Sequence, residues 1–169
     1  MTVIGITGPT GAGKTTLLQE MERLGGGVID CDAVYHELLK RDTTLQDRLE
    51  QAFGPLRDET GAIDRKKLGT IVFSAPERLE TLNAIAWEMV AARTEALVEE
   101  YRRQGSALVA IDAIALLESP IKELCQLKIA VLAPQEVRVR RIMAREGISQ
   151  DYAWARVKAQ KPDGYFVEN

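Results

Sequence analysis

The stretch GPTGAGKTT, residues 8–16, follows a short apolar run at the start of the chain and decides the fold. It fits the pattern G-x-x-x-x-G-K-[ST], in which glycines let the backbone turn tightly and bring its N–H groups onto phosphate oxygens. An apolar run before the pattern and helical spacing after it are the setting in which such a loop binds phosphates. The stretch therefore predicts a phosphate-binding loop (P-loop) for a nucleotide, which on its own is common to kinases, GTPases and motor ATPases.

Two side chains that follow the glycines have distinct tasks in such a loop. Lys14 can reach the β- and γ-phosphates as a point charge, and the Thr15 hydroxyl can ligate Mg²⁺. A nucleotide and Mg²⁺ are therefore expected, and membership of a kinase family would make ATP the expected nucleotide. The residues predicted to contact ATP are Gly8, Thr10, Gly11, Ala12, Gly13, Lys14, Thr15 and Thr16.

Short, nearly continuous apolar stretches alternate with longer segments of helical spacing. Such stretches are typical of parallel strands that are covered on both faces, and the alternation predicts right-handed crossovers. We expect an α/β protein with the three-layer α/β/α P-loop fold, a helical acceptor-binding region and a helical lid. The predicted strands are residues 3–7, 27–30, 107–112 and 127–132.

Helix starts are visible as capping residues. Ser74, followed three residues later by Glu77, predicts a capping box for a helix that runs to about residue 104. Ser149 predicts another N-cap, and glycines at 25–27 end the helix that begins at Lys14.

Composition excludes several classes of protein. The chain has 169 residues and a net charge of −3, which argues against bulk binding of nucleic acid. Two cysteines without a CxxC pattern, and one histidine, predict neither disulfides nor a zinc site. The first residues do not resemble a signal peptide, and no apolar run is long enough to cross a membrane. We expect a cytoplasmic protein that is a monomer or a weak oligomer.

Two carboxylates, Asp30 and Asp32, follow the second predicted strand. At the carboxyl end of a strand near the P-loop they can serve as a base and as a group that organises Mg²⁺. Asp30 can equally end the strand while Asp32 caps the next helix, and the spacing favours neither interpretation. The chain contains no N-K-x-D motif for guanine, which disfavours a GTP switch.

A basic segment follows the last predicted strand. Arg138, Arg141 and Arg145 are spaced three and four residues apart and fall on one face of a helix. A helical lid that presents arginines to the transferring phosphoryl group would explain this face. A solvated helix face is the alternative.

These residues together resemble the dephospho-CoA kinases, and the resemblance covers nearly the whole chain in order. IGITGPTGAGKT and VIDCDAVYH resemble the family's IGLTGGIGSGKS and its VIDAD followed by a histidine. The later matches are Phe53-Gly54, Ile63-Asp64-Arg65, Val72-Phe73, Leu82-Asn83, Asp112, Leu116 to Ser119, Arg141 with Arg145, and Ala155-Arg156 with Gln160.

The resemblance implies ATP-dependent phosphorylation of the ribose 3′-hydroxyl of dephospho-CoA, the last step of coenzyme A synthesis. Asp32 matches the family's catalytic base and is a second candidate for the metal, after Thr15. Lys14, Arg141 and Arg145 are the other expected catalytic residues. For His36 a packing role is about as well supported as a substrate contact. The residues expected on the substrate side are Asp30, His36, Arg65, Phe73 and Glu118.

The resemblance also predicts how the chain is organised. We expect a single kinase domain with a core at residues 1–31 and 105–135, an acceptor-binding region at 32–104 and a lid at 134–160. Trp87-Glu88 stands where the family has His-Pro, which predicts a straighter helix, and Ile114-Ala115 departs from Pro-Leu. These departures leave open a P-loop kinase for another small alcohol, nucleoside or nucleotide, and a nucleotide-binding module without turnover.

Overall fold

The structure, a computed structural model, describes residues 1–168, and the chain divides into two compact units. The first unit comprises residues 1–30 and the chain from residue 98 onward, and the second is Cys31–Leu97. No helix within residues 1–168 is long and apolar enough to span a membrane. In chain order the helices are α1 (Lys14–Arg23), α2 (Cys31–Arg41), α3 (Thr43–Phe53), α4 (Arg65–Val72), α5 (Pro76–Arg103), α6 (Gln135–Glu146), α7 (Gln150–Lys158) and α8 (Asp163–Glu168), with a 3-10 helix at Pro120–Leu124.

The first unit contains a parallel sheet in which the strand order is β2-β3-β1-β4. The predicted bounds of β2 are confirmed, and β1 and β3 each differ from prediction by one residue at their start. β4 ends two residues before its predicted end, although the Val131 N–H still donates to the Thr7 carbonyl at 2.9 Å. The strands are β1 (Thr2–Thr7), β2 (Gly27–Asp30), β3 (Leu108–Asp112) and β4 (Leu127–Ala130).

Packing on β1 explains the layered arrangement. Ile4 and Ile6 point to one face of the sheet, where Leu18 of α1 packs against them. Gly5 alternates with them and faces the other side, where Leu116 and Cys125 approach its backbone. Because both faces of β1 are covered, the predicted three-layer α/β/α fold is confirmed.

β4 does not match the expected burial on both faces. Leu127 is 55% exposed and Ile129 is 37% exposed. β4 lies at one edge of the sheet that residues 1–168 form, with β2 at the other, and it pairs with β1 alone. An apolar run therefore predicted the strand correctly but not its position at the edge.

The capping predictions had different outcomes. The Ser149 side chain accepts a hydrogen bond from the Tyr152 N–H, as predicted for an N-cap. The Ser74 prediction is wrong, because its hydroxyl donates to the Ile71 carbonyl at 2.7 Å and α5 begins two residues later. Gly25, at φ +87°, follows the end of α1 as predicted.

The second unit is helical, and its own core contains Leu45, Leu49, Leu56 and Val72, all at most 1% exposed. α5 begins in this unit and continues without a break through Trp87. The helix is therefore uninterrupted at the position of the missing His-Pro, and a straighter course there stays a prediction. Glu88, in place of the proline, pairs with Arg48 at 2.7 Å.

Gly27→Ala tests the contact between β2 and the end of α5. A Cβ at Gly27 would lie 2.6 Å from a ring carbon of Tyr101, and the ring cannot bend away as an aliphatic chain can. We expect the free energy of unfolding to fall by about 1–3 kcal/mol, measured by urea denaturation followed by circular dichroism. The control is Gly69→Ala in α4, where the nearest atom is 3.9 Å away. Gly69→Ala should leave the free energy of unfolding unchanged or raise it by about 0.5–1 kcal/mol. An equal fall in the free energy of unfolding in both variants would contradict the prediction.

Candidate active site

The P-loop joins β1 to α1, and its glycines adopt conformations that other residues rarely adopt. The φ angles of Gly8, Gly11 and Gly13 are +134°, +82° and +117°. A Cβ at Gly8 would lie 2.2 Å from the Val131 carbonyl oxygen, and one at Gly11 would lie 2.9 Å from the carbonyl oxygen of Arg138. The glycines are therefore needed for packing against neighbouring backbone as well as for the turn.

Arginines of α6 hold the carbonyl oxygens of the P-loop. Arg138 Nε donates to the Thr10 carbonyl at 3.1 Å. Arg141 Nη1 donates to the carbonyls of Gly11 at 3.1 Å and Ala12 at 2.8 Å. In a trans peptide, the carbonyl of one residue and the N–H of the next point in opposite directions. The N–H groups of Gly11 and Gly13 are therefore directed away from α6.

The other predicted ATP contacts lie in the same loop and in the first turn of α1. Lys14 Nζ folds back and donates to the Gly8 carbonyl at 2.8 Å. Thr15 and Thr16 are exposed, and the first turn of a helix presents N–H groups that have no acceptor within the helix. Positive charge and N–H donors therefore gather at one end of α1, which suits a phosphate.

Two backbone N–H groups of the loop have partners inside the protein. The Thr10 N–H donates to Gln160 Oε1 at 2.9 Å, and the Ala12 N–H donates to the Pro9 carbonyl at 3.2 Å. Thr10 and Ala12 thus use their backbone donors within the loop's own scaffold.

The three arginines expected on one lid face have different surroundings. Arg138 is only 1% exposed, so it does not present its charge to solvent as expected for a lid residue. Burial lowers the pKa of its guanidinium, which Asp163 partly opposes, but an arginine remains charged in such a site. Arg141 contacts the loop, and Arg145 is exposed and pairs with Glu146 at 2.5 Å.

Glu118 follows β3 in the chain and has a cation beside it. Lys161 Nζ lies 3.1 Å from Glu118 Oε1 and 4.7 Å from the centre of the Tyr165 ring. The hydrogen bond to Glu118 raises the pKa of Lys161. A cavity of about 270 Å³ adjoins this group, and its lining includes Pro9, Thr10, Ile114, Glu118, Gln160 and Phe166.

The predicted residues of the second unit lie on α2 and α4. α2 begins at Cys31, which makes Asp32 a residue of the helix, so the interpretation of Asp32 as an N-cap is wrong. Asp32 and His36 are both exposed and lie four residues apart on one face of α2. Asp30 is the exposed last residue of β2 in the first unit.

Arg65 and Phe73 stand at opposite ends of α4. Arg65 is its exposed first residue, and Phe73 is its C-cap and 78% exposed. Burial raises the pKa of Tyr35 in α2, while the charge of Arg65 lowers it. The sequence-based site residues thus divide between the two units: Gly8 to Thr16, Asp30, Glu118, Arg141 and Arg145 in the first, and Asp32, His36, Arg65 and Phe73 in the second.

Sequence analysis missed the role of Gln160 and Lys161 beside the loop. Gln160 was visible only as one match among many in the resemblance, and Lys161 had no signal of its own. No group of three or more His, Cys, Asp or Glu side chains within residues 1–168 is arranged to hold a metal ion.

Comparison with known proteins finds one family across the chain. A family model described as "CoaE: Dephospho-CoA kinase" matches residues 2–164. The dephospho-CoA kinase of Dehalococcoides mccartyi is 37% identical over 164 residues, which cover 96% of this chain and 82% of that protein.

Two solved structures are similar to this chain over nearly its whole length. The crystal structure of TT1252 from Thermus thermophilus is 34% identical with a TM-score of 0.78, covering 99% of this chain and 84% of that chain. The dephospho-CoA kinase from Campylobacter jejuni, 23% identical with a TM-score of 0.68, covers 98% of this chain and 83% of that chain and shares the fold.

Gly11→Ala tests whether packing of the loop on α6 is needed for nucleotide binding. The new Cβ would clash with the Arg138 carbonyl and would occupy a left-handed backbone conformation. We expect ATP affinity, measured by equilibrium dialysis, to fall by about tenfold or more, equivalent to about 1.4 kcal/mol.

The matched control is Gly147→Ala at the end of α6. Gly147 has φ +65°, but its Cβ would meet nothing within 4 Å. It should lose about 1–2 kcal/mol of stability and keep its ATP affinity. Equal ATP affinities in the two variants would show that the clash at Gly11 is unimportant.

Proposed function

The chain belongs to the dephospho-CoA kinase family, and from this premise we propose which of its residues carry out each part of the reaction. The protein is a phosphotransferase that uses ATP to phosphorylate dephospho-CoA in the synthesis of coenzyme A. The observation that carries this function is the family match over residues 2–164, which includes the P-loop and the segment that contains α6 and α7. Each residue's role is assigned from its contacts and exposure within its own unit.

We assign binding of the ATP phosphates to the P-loop and the first turn of α1. The N–H groups of Gly11 and Gly13 face away from α6, which leaves them directed at an incoming oxyanion. Lys14 already lies against the loop, so its charge needs little reorganisation to reach phosphate. Gly8 and Thr16 are further proposed ATP contacts, whereas the N–H groups of Thr10 and Ala12 already have partners within the protein.

We propose Thr15 as the Mg²⁺ ligand, with Asp32 as a second candidate. A hydroxyl and a carboxylate are oxygen donors of the kind that Mg²⁺ prefers, and both residues are exposed in first turns of helices. When bound, Mg²⁺ would neutralise charge on the phosphate oxygens.

We assign Asp32 the task of general base. As the 3′-oxygen of dephospho-CoA bonds to the γ-phosphorus, its proton passes to the Asp32 carboxylate and the bond from that phosphorus to ADP breaks. Exposure of Asp32 on α2 is what this task requires, since the carboxylate must be reachable by the acceptor.

We assign Arg141 and Arg145 to stabilising the transferring phosphoryl group. If Arg145 moved from Glu146 to a phosphate, the Glu146 carboxylate would still have an ion-pair partner, because it also pairs with Arg156. Hydrogen bonds from Arg145 and Arg156 lower the pKa of Glu146. Arg141 is fixed on the loop and would act from there.

We propose the acceptor contacts from charge and exposure. Arg65 offers a cation to a phosphate of dephospho-CoA, and the exposed Phe73 ring offers an apolar face. Asp30, His36 and Glu118 are polar groups that would recognise hydroxyl or amine groups of the substrate.

The proposed setting is the cytoplasm, with the protein as a monomer or a weak oligomer. Cys31 and Cys125 are buried and unlinked, as is usual in a reducing compartment. Burial raises the pKa of the Cys125 thiol to about 11, so it stays protonated.

The first experiment measures ADP formation with Mg²⁺ and ATP, with and without dephospho-CoA, and with adenosine, AMP and shikimate as control acceptors. We expect ADP only with dephospho-CoA. ADP with a control acceptor would contradict the substrate but keep a kinase. ATP binding without ADP from any acceptor would instead indicate a binding module.

Asp32→Asn tests the assignment of the general base. Loss of the proton acceptor should lower kcat on the order of 100-fold or more while ATP affinity remains unchanged. The control is Asp42→Asn, because Asp42 caps α3 in the same unit and asparagine caps a helix about as well. Asp42→Asn should keep full turnover, and near-normal kcat in Asp32→Asn would exclude Asp32 as the base.

A further inference from the structure

Thr10 is held at both of its backbone polar groups by residues far away in the sequence. Its N–H donates to Gln160 Oε1 at 2.9 Å, and its carbonyl accepts from Arg138 Nε at 3.1 Å. Thr10 immediately precedes Gly11, whose N–H belongs to the same peptide unit as the Thr10 carbonyl. Whatever fixes that carbonyl therefore also fixes the direction of the Gly11 N–H.

Arg138 and Gln160 also contact each other. Arg138 Nη2 donates to Gln160 Oε1 at 2.6 Å, so this oxygen accepts hydrogen bonds from both Arg138 and Thr10. Rotating the amide by half a turn would place its NH₂ group against two donors. The guanidinium therefore orients the Gln160 amide, and the amide in turn holds Thr10.

Burial makes this arrangement rigid. Arg138 is 1% exposed, and Asp163 lies 3.6 Å from its Nη1 atom and partly compensates the charge. A buried charged group that left its partners would remain without hydrogen bonds, which is costly. The backbone of α6 at Arg138 also lies so near Gly11 that an added Cβ would be 2.9 Å from the Arg138 carbonyl oxygen, which leaves the loop little room to shift toward the helix.

We propose that Arg138 and Gln160 form a clamp on Thr10 that positions the P-loop for ATP. We call this pair the Thr10 clamp. It touches no reacting atom and acts by holding the Gly11 N–H toward the phosphates. The inference rests on the proposed binding of ATP by the P-loop.

The test uses one variant for each member of the Thr10 clamp. Gln160→Met removes the acceptor but keeps the length of a half-buried side chain at the end of α7. Arg138→Lys keeps the charge but cannot reach Thr10 and Gln160 with one planar fork. The matched controls are Gln150→Met and Arg140→Lys, which change exposed residues of α7 and α6.

Two measurements separate positioning from general stability. Hydrogen exchange of the Thr10 amide, followed by NMR in nucleotide-free protein, reports the clamp directly. In Gln160→Met this exchange should be about tenfold faster or more, with exchange of the β1 amides unchanged. The KM for ATP should rise about tenfold in both clamp variants, while kcat at saturating ATP changes less than threefold.

The double variant checks that the two residues act as a unit. Because both act on Thr10, the rise in KM in Arg138→Lys/Gln160→Met should be close to that of the larger single change. Multiplicative effects would overturn the proposal. The proposal would also be overturned if, in Gln160→Met, the exchange rate of the Thr10 amide and the KM for ATP both stayed within twofold of the wild-type values. If Arg138→Lys does not fold, Gln160→Met decides alone.

Failure of the proposed function gives a different result. Wild-type protein that binds no ATP would contradict the role of the P-loop, whereas the Thr10 amide would still be protected if the clamp exists. Gln160→Met could lose protection of the Thr10 amide and still bind ATP with unchanged affinity. The contact would then be only structural, and the proposed positioning role would be overturned.

Discussion

The hydrogen bonds from two arginines of α6 to three successive carbonyl oxygens are the constraint on which the rest of the site depends. Without these bonds, Thr10, Gly11 and Ala12 could turn their carbonyl oxygens toward the proposed phosphate site. A carbonyl facing a phosphate repels it, and the N–H of the following residue is then directed away. Because α6 holds these carbonyl oxygens on its own side, the opposite side of the loop presents N–H groups and a positive potential even without a ligand. The glycines make this possible because α6 packs directly on the loop backbone.

Local signals were sufficient for most of the architecture. The bounds of β2 and the start of α1 at Lys14 follow from apolar runs, glycines and the P-loop pattern, each of which acts over a few residues. The exposure of β4 was not predictable in this way, because it depends on which strand lies at the edge of the sheet. Ser74 carried a capping pattern, but α5 begins two residues later, at Pro76, and the Ser74 hydroxyl donates to the Ile71 carbonyl of α4 instead.

The site shows the same division between local and distant information. The identity and order of the P-loop residues were readable, because each has a chemical task that restricts its type. The burial of Arg138 was not readable, since helical spacing places it on the same face as Arg141 and Arg145. What distinguishes Arg138 is a glutamine 22 residues later whose oxygen it contacts. Spacing within one helix gives the direction of a side chain but not what it meets there.

The bond between Thr10 and Gln160 spans 150 residues of sequence, which has a consequence for synthesis of the chain. The phosphate-binding loop leaves the ribosome 150 residues before the residue that holds its backbone N–H. Because synthesis runs from the N-terminus onward, the loop exists without this partner while those residues are made. A nascent or prematurely released chain therefore carries the complete glycine-rich motif but lacks part of the support that orders it. Order in the phosphate-binding loop thus depends in part on a residue that is made long after the loop itself.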